Sequence, residues 1–546
     1  MASQALRGIN TRQTAQTEQA RPDQVANNAG GFVFAVTPET RLRRFLTLGV
    51  DGGTYYVGER ALARDNAQVV LDFARDRGTD LVQMIIEVSE AGRAPKNDPA
   101  IFALAAASVL ADLDGRRAAY AALPRVCRTG THLFQFAGFR EQFGGWSRGA
   151  RRAVGDWYTA PDVDRVAYQL AKYRQRDGWT HRDLLRLTHP KTVEAGRKAL
   201  FDWACGRGVD GPVPVVVHHF IDAQNAATTN EWVRVIDRAE GALSWEMLPD
   251  AALNQPAVWA ALIAHGVPQT ALIRQLPRLT RIGAIGPGKV LTHAVADQLT
   301  DPQRLVKSRV HPVNVLIAQR TYSGGRSLRG STEWTPVPAI TDALHAAFYA
   351  SFGAVRKTGK RHLLALDVSG SMGAQAGGLP ITCREVCAAM ALATVNVEDD
   401  VTVVGFTGGH GQWGGYSFGR GQTAEPLTTL DITPRRRLDD TISYISNLPF
   451  GGTDCALPAV WAKQQGLDFD AISLYTDSET WAGGIHPFQA LSAYRRHVGH
   501  RVSQVVVGIT ATGFSVADPG DPDSLDVAGF DSAVPGLIAD FAAGDI

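Results

Sequence analysis

Asp367-Val368-Ser369-Gly370-Ser371, directly behind the apolar run His362–Leu366, is the stretch that decides the fold of the C-terminal third. An apolar run that breaks into Asp, Ser and Gly reads as a buried strand ending in a strand-to-helix turn. Gly452-Thr453-Asp454 and Tyr475-Thr476-Asp477 add oxygen-bearing side chains from two further loops. Val401–Phe406, Phe469–Tyr475 and Val502–Ile509 are short, β-rich apolar runs without polar alternation, the pattern of parallel strands buried on both faces. Open α/β sheets gather their ligand-binding loops at the C-terminal ends of such strands. Asp367, Ser369, Ser371, Thr453 and Asp477 are therefore expected to converge. Two carboxylates and three hydroxyls suit a hard divalent cation, Mg²⁺ above all, and leave room for water or an acidic group of a partner. Asp, Ser and Gly would also serve at such a turn simply to cap the following helix. Three loops sharing one chemistry favour the cation.

The net charge of +1 hides a division. Residues 1–361 hold 46 Lys/Arg against 33 Asp/Glu, a balance of +13, while residues 362–546 hold 9 against 21, a balance of −12. A break this sharp, at the start of the strand leading to Asp367, marks a domain boundary and unlike partners for the two halves. Within the basic half, residues 151–200 carry 11 basic against 6 acidic side chains. Lys172-Tyr173-Arg174-Gln175-Arg176-Asp177-Gly178-Trp179-Thr180-His181-Arg182 interleaves cations with aromatic rings and turns at Gly178. Guanidinium groups and rings together suit phosphates and unpaired bases. Elsewhere, as at Arg75-Asp76-Arg77 and Arg116-Arg117, the charge reads as an ordinary solvated helix face.

The first half is helix after helix. Thr37-Pro38-Glu39 starts one with a cap and a proline at the first helical position. Helical periodicity continues over 61–74, 80–88, 99–113, 117–123, 132–143, 148–157, 163–174 and 182–187, between short turns. Thr180 with Asp183 forms a capping-box-like start. Pro214–Phe220 is strand-like and fits neither class. Tandem helices with short connections predict stacked pairs, without a crisp repeat consensus.

At 546 residues the chain exceeds a single hydrophobic core. Its longest apolar stretch, Ala100–Ala111, is too short to span a membrane and is expected to be a buried helix. Met1–Asn28 has no apolar core of a secretory signal. Five scattered cysteines without a C-x-x-C pair suit a reducing cytoplasm, and Cys383 and Cys387, one helical turn apart, read as small core residues. Arg outnumbers Lys 46 to 9, a bias that fits a GC-rich bacterial coding sequence.

A basic all-helical module followed by a von Willebrand factor A-like domain resembles the Ro autoantigen family of ring-shaped RNA-binding proteins, built on the TROVE module. The pieces carrying the likeness are Phe45-Leu46 leading to Gly52-Gly53-Thr54-Tyr55-Tyr56, Lys172–His189, Ala365–Met372, Gly451–Leu457, Tyr475–Gly484, and Gly513-Phe514 through Asp518-Pro519 to Gly529-Phe530-Asp531. The resemblance implies a multidomain chain: an N-terminal, partly flexible arm over 1–30, HEAT-like helical repeats over 31–360, and an α/β, Rossmann-like A domain over 361–546 that closes the repeats into a ring. It implies that single-stranded 3′ ends of misfolded RNA enter a positive central hole. Small structured Y RNAs would bind the outer surface and tether an exoribonuclease, polynucleotide phosphorylase in bacterial members. The chain would then act as a monomeric, non-enzymatic scaffold of RNA quality control and stress response in the cytoplasm.

Carried over by position, the family's RNA contacts fall on Lys172, Arg176 and His189, and its metal-ion-dependent adhesion site on Asp367, Ser369, Ser371, Thr453 and Asp477. Arg151, Arg152, Arg174, Arg182 and Arg186 join the RNA set by proximity in sequence. His189 before Pro190 would, by itself, read as a capping or surface histidine. Two other classes stay open: a protein-interaction scaffold working through the cation loops, and a Mg²⁺-dependent hydrolase. The hydrolase needs more carboxylates than Glu479 adds. The Gly/Pro-rich turn Arg281–Lys289 is a weaker candidate for phosphate contact, and the loop Gly408–Gln422, with Trp413, Tyr416 and Phe418, has no assigned role.

Overall fold

A computed structural model describes residues 13–48, 68–90, 96–308, 310–328, 330–376, 379–408, 426–448, 452–509, 514–528 and 534–545. Of the stretches singled out above, Gly52–Tyr56, residues 61–67, most of the Gly408–Gln422 loop, Gly451, Gly513 and Gly529–Asp531 lie outside the described residues. The chain forms two compact units. One comprises Met1–Ala61, Arg309–Arg320 and Phe348–Ile546, the other Leu62–Ser308 and Thr321–Ala347.

The described strands are, in chain order, β1 Gln24–Ala26, β2 Phe32–Ala35, β3 Gln175–Arg176, β4 Trp179–Thr180, β5 Arg361–Asp367, β6 Asp400–Phe406, β7 Leu427–Thr429, β8 Ala471–Thr476, β9 Ser503–Gly508, β10 Phe514–Ser515 and β11 Ser524–Ala528. In the first unit six of them form a sheet in the order β11-β9-β8-β5-β6-β7. Its pairings are parallel except for the β6–β7 edge. All four predicted strands lie in this sheet, and β8 and β9 are buried along their whole length. Leu363, Ala365, Val404, Ile472, Leu474 and Val506 share one core cluster with Tyr494. Non-polar side chains on both pleats leave water no face to wet, which is why no alternation is visible in the sequence. Helix Cys383–Val397 is started by a reciprocal capping box between Thr382 and Glu385. Cys383 and Cys387 are buried in it as free thiols, as expected of core residues.

The N-terminal segment belongs to the same unit. β2 pairs antiparallel with β1 and with β10, and helix Pro38–Leu48 is tied to β11 by a buried Arg44–Asp526 ion pair at 2.5 Å. This unit thus takes in residues that the sequence pattern assigned to the arm and to the start of the helical module.

The second unit is built of helices that pack mostly against neighbours one or two places along the chain, with Val163–Lys172 also meeting Val215–Asn225 three places on. Gly78–Glu90 packs on Leu113–Val126, and Asp98–Leu110 on Gly130–Phe143. The two helices expected over 99–113 and 117–123 are Asp98–Leu110 and Leu113–Val126. Asp112 ends the first stretch and caps the next helix by accepting from the Gly115 N–H at 2.8 Å. The buried helix expected around Ala100–Ala111 is present, with Phe102 edge-on to Phe139 and Phe143. Pro214–Phe220 resolves as the start of a helix, Val215–Asn225, with Pro214 at its N-cap. Burial of Val216, Val217 and Phe220 outweighs the modest β preference of a valine run. Among the described residues no helix is long and apolar enough to cross a membrane.

Candidate nucleic-acid interface and cation loops

The basic segment has a defined shape. Helix Val163–Lys172 ends at Tyr173, and the chain then forms the two-residue ribbon β3–β4, with Arg176 opposite Trp179. Asp177 and Gly178 both take left-handed backbone, φ 51° and 82°, the conformation a tight two-residue hairpin demands. Thr180 caps helix His181–Thr188 through a full capping box with Asp183, and His189 ends it in the left-handed region at φ 46°.

These cations do not form one uniform surface. Lys172 is half-buried, 3.6 Å from Glu246, with the rings of Tyr168 and Tyr173 at 5.5 and 5.2 Å. Burial opposes its charge, but Glu246 and the two tyrosines outweigh that and hold its pKa above the ordinary lysine value. Arg174 lays its guanidinium over Phe220 at 4.9 Å and Trp203 at 6.0 Å, and burial lowers its pKa. Arg176 lies 3.9 Å from Asp177. Arg151, Arg152, Arg182, Arg186 and His189 are exposed, Arg152 standing 3.9 Å from Asp156. His181, inside the same basic stretch, is buried against Phe134 and Trp157, its Nδ1 2.7 Å from the Tyr158 hydroxyl. Burial pushes its pKa down to about 3. It is a neutral packing residue.

Arg186 and His189 meet cations that the sequence did not single out. They line an open cleft of about 920 Å³ together with Lys191, Lys198 and Arg207. Arg207 is paired with Asp202 at 3.0 Å and Glu194 with Arg197 at 2.9 Å, so Arg186, Lys191 and Lys198 give the cleft its positive excess. Lys191 and Lys198 belong to the basic stretch 151–200 but lie beyond the aromatic-interleaved segment that ends at Arg182. Of the remaining RNA candidates, Lys172, Arg174, Arg176, Arg182, Arg151 and Arg152 do not line this cleft.

In the other unit, Asp367, Ser369 and Ser371 lie at the end of β5 and Asp477 at the end of β8, while Thr453 lies in the loop between helices Leu438–Ser446 and Leu457–Gln464. Asp367 is buried. Its Oδ1 accepts from the Ser369 N–H at 2.8 Å and its Oδ2 from the Thr476 hydroxyl at 2.8 Å. Ser369 and Ser371 hydroxyls stand 3.0 Å apart. Burial first, and the charge of Asp477 second, push the Asp367 carboxyl up to about 6. Thr453 and Asp477 are buried as well. Two mutually repelling carboxylates with the Ser369 and Ser371 hydroxyls are oxygen donors of the kind a hard divalent cation takes, because such an ion would offset the repulsion. Thr476, which orients Asp367, belongs to the quoted Tyr475–Asp477 motif but went unassigned in the sequence. Among the described residues no group of three His, Cys, Asp or Glu side chains is placed to hold a metal. Glu479, the extra carboxylate of the hydrolase reading, faces elsewhere: its oxygens accept from Asn28 at 2.6 Å and the Ala29 N–H at 3.1 Å.

Comparison with known families sets these features in context. The TROVE domain model matches residues 25–209 and 236–323, and the Ro60 vWA domain model matches residues 361–542. The chain belongs to the Ro60 family. It is 41% identical to the RNA-binding protein RO60 of Deinococcus radiodurans over 552 aligned residues, covering 99% of each protein. It is 34% identical to the protein of the same name from Caenorhabditis elegans, covering 97% of this chain and 92% of that one. The crystal structure of the D. radiodurans RO protein superposes with a TM-score of 0.75 at 38% identity, covering 93% of this chain and all of the other. The C-terminal piece of the likeness is structural where it is described: Phe514-Ser515 is β10, and Asp518 pairs with Arg21.

Proposed function

We propose that this Ro60-family chain binds RNA through the basic face of its helical unit. The observation that carries this reading is the cleft beside helix His181–Thr188, in a chain similar over 99% of its length to a protein named for RNA binding. Arg186, Lys191 and Lys198 would pair with phosphates, and His189 would hydrogen-bond a phosphate or stack on a base. Arg151, Arg152, Arg176 and Arg182 would extend the contact, with Lys172 and Arg174 held by their neighbours as a firm edge to it. Structured Y RNA would occupy an outer surface and single-stranded 3′ ends of misfolded RNA a central hole of a monomeric ring. RNA would tether a 3′–5′ exoribonuclease such as polynucleotide phosphorylase. The chain itself would be a cytoplasmic, non-enzymatic scaffold in RNA quality control and stress response. Asp367, Ser369, Ser371, Thr453 and Asp477 would hold a divalent cation, Mg²⁺ in the first instance, and a bound cation would supply a coordination position for an acidic group of a partner. Crosslinking in the native cells, followed by sequencing of the bound RNA, tests the reading. A dominant small noncoding RNA is expected, and recovery of no RNA above background would overturn it.

A further inference from the structure

The N-terminal segment makes an unusual set of contacts for residues so remote in sequence from the cation loops. Gln16 is fully buried. Its side-chain amide donates to Asp454 Oδ1 at 2.6 Å and to the Ile485 carbonyl at 2.9 Å, while its oxygen accepts from the Thr480 hydroxyl at 2.6 Å. Asp454 directly follows Thr453, and Thr480 lies three residues beyond Asp477. One glutamine therefore bridges two of the three loops. Thr480 in turn accepts from the Cys455 N–H at 3.0 Å, closing the bridge from the other side. Asn27 donates to the Thr480 carbonyl at 2.8 Å, and Asn28 and the Ala29 N–H hold Glu479. Between these anchors Ser478 is kept in left-handed backbone at φ 68°, which a serine adopts only under local constraint.

Two glycines show how close the fit is. A Cβ on Gly31 would run into the Thr480 carbonyl, and one on Gly483 into both the Gln16 amide and the Asp454 carboxylate. Buried polar groups satisfied on every side specify one arrangement rather than a family of them. Groups that orient first-contact ligands commonly change metal affinity by 10–100-fold when removed.

We propose that residues 14–31 form a clasp that positions the cation loops, with Gln16 as its positioning residue and Asn28 as the group that turns Glu479 away from the ion. The proposal rests on the cation reading given above. Docking of the clasp and binding of the cation then favour each other by the same factor.

The test uses the full chain and Mg²⁺, with Mn²⁺ as a spectroscopic substitute. Wild type, Gln16→Ala, Asn28→Asp and Asp477→Ala are compared by calorimetric titration and by Mn²⁺ paramagnetic resonance. Hydrogen exchange of residues 14–31 is followed with and without Mg²⁺. Gln16→Ala is expected to weaken binding about 10-fold or more, whereas Asn28→Asp, which releases Glu479 by like-charge repulsion, is expected to strengthen it. Mg²⁺ is expected to slow exchange in the clasp of the wild type. Unchanged affinity in a folded Gln16→Ala protein, or clasp exchange indifferent to saturating Mg²⁺, overturns the clasp while leaving the cation site intact. Absence of binding to wild type itself overturns both. Should Gln16→Ala fail to fold, the exposed Asn28→Asp variant and the wild-type exchange measurement decide the matter.

Discussion

His181 and Lys172 show how far residue type is from role. Both lie in one basic, aromatic stretch, yet His181 is a neutral core ring and Lys172 is half-buried between two tyrosines and Glu246. For His181 this has a pH signature. The folded ring stays neutral down to about pH 3, whereas an unfolded one takes up a proton near 6.5. Between those values the unfolded chain binds more protons, so stability is lost as pH falls through that window and is unaffected above it. The slope contributed by one such group is at most about 1.4 kcal/mol per pH unit. Denaturant midpoints measured at pH 7 and pH 5 should fall less in His181→Gln than in wild type. An equal fall would mean that His181 charges freely in the folded protein. For Lys172, replacement by Ala is expected to lower stability by about 1–2 kcal/mol as well as RNA affinity, because Glu246 loses its partner. Arg186→Ala is expected to lower affinity alone. Thermal unfolding of the two variants beside the wild type separates these effects.

Local chemistry sets the elements that present these residues. Thr180 and Asp183 close a capping box at the start of the helix that ends in His189. Thr180→Ala is expected to cost about 1 kcal/mol, read by denaturation, and to weaken RNA binding through fraying of that helix. The strands around Asp367 were legible because burial on both faces writes an unbroken apolar run into the sequence. The helix at Val215–Asn225 was not, because a triple valine is compatible with either state until packing decides. The join at Asp112 was legible, because the apolar run Ala100–Ala111 stops there and an aspartate is a favoured helix cap. Strands β1, β2 and β10 left little trace. They are two to four residues long, and Gln16, Gln24 and Asn27 fix the segment around them through side-chain hydrogen bonds that carry no period. The loop proposed to hold a cation could be read as a motif, since Asp367, Ser369 and Ser371 are local in sequence. The cleft was only half legible, because Lys198 and Arg207 join Arg186, His189 and Lys191 only through folding.

At the scale of the whole molecule, charge divides after residue 361, +13 up to and including it and −12 beyond it, in line with the two kinds of work proposed. The sheet-bearing unit carries Asp367 and Asp477, buried carboxylates whose repulsion a cation would offset, and the helical unit carries the exposed Arg186, Lys191 and Lys198. If RNA is held by the latter, its affinity must follow salt. Each phosphate neutralised on a single strand releases counterions and contributes about 0.7 to the slope of log affinity against log salt. Binding of a small RNA with a structured stem and a single-stranded 3′ end, followed by fluorescence anisotropy across a salt series, reads that slope. Arg186→Ala, Lys191→Ala and Lys198→Ala combined should weaken binding by more than about 10-fold at low salt and lower the slope by about 2. A slope and an affinity identical to those of the unaltered protein would contradict an RNA interface in this cleft.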